Sequence, residues 1–95
     1  MKFAFIIMGD FDPRKDRAAF PDGTAQIIGV SDLKEACTVA KELSESGTDC
    51  IELCGAFNED GAKKVIAATK NKVPVGFVTH LPEQNPLFDA VFGKN

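Results

Sequence analysis

Basic residues are scarce. Eleven lysines and arginines stand against 14 aspartates and glutamates in 95 residues, a formal net charge of −3. A protein that grips a phosphate backbone needs a basic surplus to displace its counterions, so no nucleic-acid partner is expected. Long apolar runs are also missing. The N-terminal run Phe3 to Met8 is far shorter than the ~20 residues of a membrane span, so no membrane partner is expected. Lys2 ahead of that run loosely mimics a signal peptide. Asp10, Phe11, Asp12 and Pro13 then stand where a small-residue cleavage site is wanted, and a buried first strand is the better reading.

Cysteine is sparse too. Cys37, Cys50 and Cys54 form no C-x-x-C pair. Cys50 and Cys54 fall on one expected strand about 13 Å apart, beyond the roughly 7 Å that a disulfide spans. Free thiols without an export signal point to the cytoplasm. No G-x-G-x-x-G occurs, and no Lys-Ser/Thr follows a glycine-rich loop, so no cofactor is expected. Asp10, Asp12 and Asp16 alternate with Arg14, Lys15 and Arg17. That mixture reads as a solvated loop rather than the oxygen cage of a hard cation, and no metal site is expected.

What remains is average for a globular protein: 44% hydrophobic and 26% charged residues, enough for a single domain over residues 1–95. Phe3 to Met8 is apolar without helical period and reads as a strand covered on both faces. Asp12-Pro13 can open a short helix through Ala19, with Asp12 as cap. Thr24 to Val30 reads as a second strand. Asp32 to Ser46 is the clearest helix, with Leu33, Ala36, Cys37, Ala40 and Leu43 on one face. Asp32-x-x-Glu35 is a capping box, and Gly47 stands where a left-handed C-terminal cap is wanted. Asp49 to Cys54 is a third strand and Asn58 to Lys70 a second helix. In it Ala62, Val65, Ile66 and Thr69 face inward, and Glu59–Lys63 and Asp60–Lys64 pair across one turn. Val73 to His80 is a fourth strand, with Pro74 at its start or on an edge. Asn85-Pro86 opens a last helix, carrying Leu87, Phe88, Val91 and Phe92, that Gly93 closes.

The expected fold is α/β. A mainly parallel four-stranded sheet follows the order β-β-α-β-α-β-α, with a possible extra short helix between the first two strands. Crossovers between parallel strands are right-handed. Three strands laid side by side in chain order therefore put both long helices on one face and leave the other bare. The short last helix cannot cover a whole sheet, so self-association is expected there. A reversed strand order with helices on both faces, as in flavodoxin-like sheets, is the alternative.

Ligands of open parallel sheets bind beyond the carboxyl ends of the strands. That rule selects the stretches after Met8, Val30, Leu53 and Thr79. Glu52 alternates with Ile51 and Leu53, so it shares a face with Cys50 and Cys54. A carboxylate there needs a partner or water, and it suits a general base or a ligand anchor. His80, the single histidine, suits proton transfer near neutral pH. On adjacent strands Cys54 and His80 can come within one strand spacing and form a thiolate pair. Glu52, Cys54 and His80 are thus the candidate catalytic set. Asn58, Phe57, Phe11 and Glu83 are the candidate ligand contacts, although Asn58 also reads as a helix cap. The loop from Asp10 to Gly23 is long enough for a lid. Gly29, Gly55 and Gly76 read as places of close backbone approach.

Three stretches carry a resemblance: FAFIIMG at residues 3–9, CIELCGAF at 50–57 and VGFVTHLPEQ at 75–84. On them the chain resembles a family of small uncharacterised bacterial proteins, a domain of unknown function, over nearly its whole length. The resemblance implies a compact bacterial α/β domain and transfers no catalytic role. A fainter similarity to segments of (β/α)8 barrels ends at fold analogy, because a barrel needs ~200 residues. The expected function is binding of a small metabolite at the carboxyl rim of a homo-oligomer. A cofactor-independent enzyme and a ligand-free interaction subunit are the alternatives.

Overall fold

In the computed structural model, which describes residues 1–93, the first strand β1 (Phe3–Met8) lies in the middle of the sheet. It runs parallel to β3 (Ala25–Val30) on one side and to β4 (Cys50–Leu53) on the other. Outside β4 lies the parallel strand β5 (Val75–Phe77), and outside β3 the antiparallel strand β2 (Arg17–Ala19). The order is β2-β3-β1-β4-β5. The expected α/β class holds, but the sheet has five strands, not four.

The extra strand replaces the helix expected after Asp12-Pro13. Asp12 does cap a turn: its carboxylate accepts the Arg14 amide at 2.9 Å and its carbonyl the Asp16 amide at 2.7 Å. The turn does not propagate. One isolated turn fixes several dihedrals for few hydrogen bonds, and Arg17–Ala19 instead pair with Gln26–Ile28 on the open edge of β3. β5 ends at Phe77 rather than His80, because Leu53 ends the strand it pairs with. Pro74 sits just ahead of β5, where its missing N–H costs no ladder bond and its carbonyl accepts from Ile51.

Two helices join the parallel strands: α1 (Leu33–Glu45) links β3 to β4, and α2 (Asn58–Ala68) links β4 to β5. The first crossover passes over β1, and both step in the same direction across the sheet. Right-handedness then puts both helices on one face, where they pack on each other. Asp32 Oδ1 accepts the Glu35 amide at 2.8 Å, while Glu35 Oε1 reaches back to the Ser31 amide at 2.7 Å. Gly47, with φ +96°, closes α1 in the left-handed region. The pair Lys63–Glu59 forms at 3.1 Å.

The core fills the helix side. Ala4 and Ile6, Ile28 and Val30, Ile51 and Leu53 meet Ala36, Ala40, Val65 and Phe57, all buried. The alternate residues of every strand point the other way, where no helix lies over them. The last helix α3 (Asn85–Phe92) follows a short 3-10 turn, Pro82–Gln84, and buries none of its residues. Among the described residues no helix is long and apolar enough to cross a membrane.

Candidate functional site on the uncovered sheet face

Strand register arranges the open face into rows. Ala18 pairs with Ile27, Ile27 with Phe5, Phe5 with Glu52 and Glu52 with Gly76. These five share the uncovered face, one from each strand, across about 19 Å of sheet. In the next row Phe20, whose amide donates to Ala25, leads to Phe3 and then Cys50. The face is apolar at the β2–β3–β1 end. Phe3, Phe5, Ala18, Phe20, Ala25 and Ile27 line an open groove of about 280 Å³ there. Beyond Phe5 the only ionisable group of the central row is Glu52.

Glu52 is half-buried, and among the described residues its carboxylate makes no hydrogen bond or ion pair. It lies over Gly76. A Cβ on residue 76 would stand 2.5 Å from Glu52 Oε1 and 3.1 Å from Oε2, so only a glycine leaves the seat open. Cys50 flanks it on the same strand face. Burial pushes the Cys50 thiol above its ordinary pKa, and the nearby Glu52 carboxylate adds to the rise. Burial also raises Cys37, against a smaller opposing pull from Lys64.

The other sequence candidates take separate places. Cys54 Sγ accepts the Met8 amide at 3.3 Å and packs against the core. His80 lies three residues past β5. Its ring stacks on Phe88 with centroids 3.8 Å apart, and Nε2 is 2.7 Å from Asn85 Oδ1. Among the described residues no hydrogen bond joins any two of Glu52, Cys54 and His80. Asn58 caps α2, its Oδ1 accepting the Asp60 amide at 3.1 Å. Phe57 is 2% exposed and belongs to the core, with its ring under Gly61. Glu83 is exposed on the 3-10 turn. Phe11 does reach the open face, lying over Gly29, where a Cβ would stand 2.7 Å from the ring. Phe3, Phe20 and Ile27 escape a rim-based reading. The signal for two of them is apolar residues at both parities of β1 and β3.

Fold and site together define a small α/β protein whose parallel-dominated sheet is helix-covered on one side and carries the Glu52 carboxylate on the other. The chain belongs to DUF6506, a family of unknown function, whose model matches residues 1–93. No curated protein and no solved structure matches it.

Proposed function

We propose that the chain is a small-molecule-binding protein whose site is the Glu52 seat on the open sheet face. The observation that carries this reading is the half-buried carboxylate, without a partner among the described residues, laid over Gly76 beside an apolar wall. A carboxylate moved partly out of water keeps its hydration cost unless a donor meets it, and a charged N–H donor meets it best. The ligand class is therefore a small amine or amidine with a flat apolar body. Its head donates to the Glu52 carboxylate above Gly76, and its body rests toward Phe5 and Cys50. The rim of the sheet offers less. Cys54, Asn58 and Glu35 already spend their polar atoms on backbone amides.

Thermal unfolding of the full chain against a panel of arylalkylamines, with the matching alcohols and carboxylates as controls, tests the site. Amines should raise Tm, by an amount worth about 2.7 kcal/mol at a hundredfold excess over Kd. Glu52→Gln should abolish the shift. An amine shift that survives Glu52→Gln, or a panel in which no amine acts, would overturn the reading.

A further inference from the structure

The β2–β3–β1 end of the open face and the last helix share a property: both are largely apolar, and apart from the His80 ring stacked on Phe88 no helix or strand of the same chain lies over either among the described residues. Leu87, Phe88, Val91 and Phe92 are 63%, 39%, 76% and 76% exposed. At 100° per residue they form one stripe about 140° wide. Asp89, the only charged residue of α3, points away from its centre. The groove lining, Phe3, Phe5, Ala18, Phe20, Ala25 and Ile27 among it, contains no charge either. An eight-residue helix is about 12 Å long, close to the ~10 Å spanned by three neighbouring strands, and the groove lies on β2, β3 and β1.

We propose that α3 of one copy seats in the β2–β3–β1 groove of a second copy, reciprocally, so that two chains cover each other's open faces. With residue areas of the order of 150–250 Å², the four α3 side chains leave about 450 Å² open. If all of that area and a matching area of each groove are covered, two helices and two grooves bury at most about 1,800 Å², inside the range of a stable specific dimer. The groove stops at Phe3 and Phe5, and the Glu52 seat begins beside Phe5. The partner's helix therefore forms the missing wall of the ligand site. That last role rests on the Glu52 reading; the assembly itself does not.

Sedimentation equilibrium of the ligand-free full chain tests the assembly without reference to any ligand. The wild type should have twice the 10.2 kDa chain mass at 100 μM. Val91→Lys alters an exposed helix position and should give a folded monomer. Ile27→Glu in the groove should do the same, with Phe20→Glu, outside the strand ladder, as the second groove variant should Ile27→Glu fail to fold by circular dichroism. Mixed one to one, the helix variant and the groove variant should return to dimer mass. In that pair one native helix meets one native groove, and Lys meets Glu in the other. A wild-type monomer, a Val91→Lys dimer (the result for sheets packed face to face), or a mixture that stays monomeric would each overturn the proposal.

Discussion

Gly76 and Glu52 show how much one missing side chain decides. The Glu52 carboxylate occupies the space that a Cβ at position 76 would take. Because the obstructing atoms are the free end of a flexible side chain, Gly76→Ala should displace the carboxylate at little structural expense. The expected outcome is an unfolding midpoint within about 1 kcal/mol of wild type, with the amine-dependent Tm shift lost. Cys50 reports on the same carboxylate. Its thiol is held neutral first by burial and then by the Glu52 charge, so Glu52→Gln should speed iodoacetamide labelling of Cys50 at pH 8 and leave Cys37 unchanged. Peptide mass spectrometry reads both; equal rates before and after would separate Glu52 from Cys50. The sign for stability follows. A thiol whose pKa is raised on folding contributes fully below its ordinary pKa, and the contribution is lost as pH rises through the raised value. The close approach at Gly76 was legible from a glycine inside a strand pattern. The place of Phe57 was not, because a phenylalanine after a strand reads equally as wall or as core.

Individual elements divide by what holds them. α1 is set locally, by Asp32 on the Glu35 amide and Glu35 on the Ser31 amide, and its pattern was readable at both ends. Asp32→Ala should cost about 1 kcal/mol, seen as a lower urea midpoint with an unchanged slope; no change would mean that packing alone sets the helix start. β2 is set from outside. Nothing in Arg17-Ala18-Ala19 announces a strand, and only the open edge of β3 makes it one. Local rules therefore favoured a helix there and failed. β5 was overestimated for a related reason: an apolar run continues to Val78, but a parallel strand lasts only as long as its neighbour. α3 was readable in length and stripe. Its lack of any buried residue was not, since a stripe does not say which surface will meet it.

Across the whole molecule, a handedness rule did more than any motif. Two right-handed crossovers stepping the same way leave one face of the sheet without helices; the order of elements offered that arrangement beside one with helices on both faces, and the strand order decides between them. Strand order was not legible, because the insertion of β1 between β3 and β4 depends on pairings no local pattern encodes. The single-sided core has an energetic consequence. Ile6 and Leu53 are fully buried at its centre, and Leu53→Ala should cost about 2–5 kcal/mol, a large part of the stability of so small a chain. Residues on the open face carry little of that load. The most direct measurement is a titration of the 15N-labelled chain with phenethylamine, followed by amide shifts. A functional Glu52 seat predicts saturable shifts centred on Phe5, Cys50, Glu52 and Gly76 that vanish in Glu52→Gln. Shifts centred elsewhere, or the same shifts in Glu52→Gln, would contradict it.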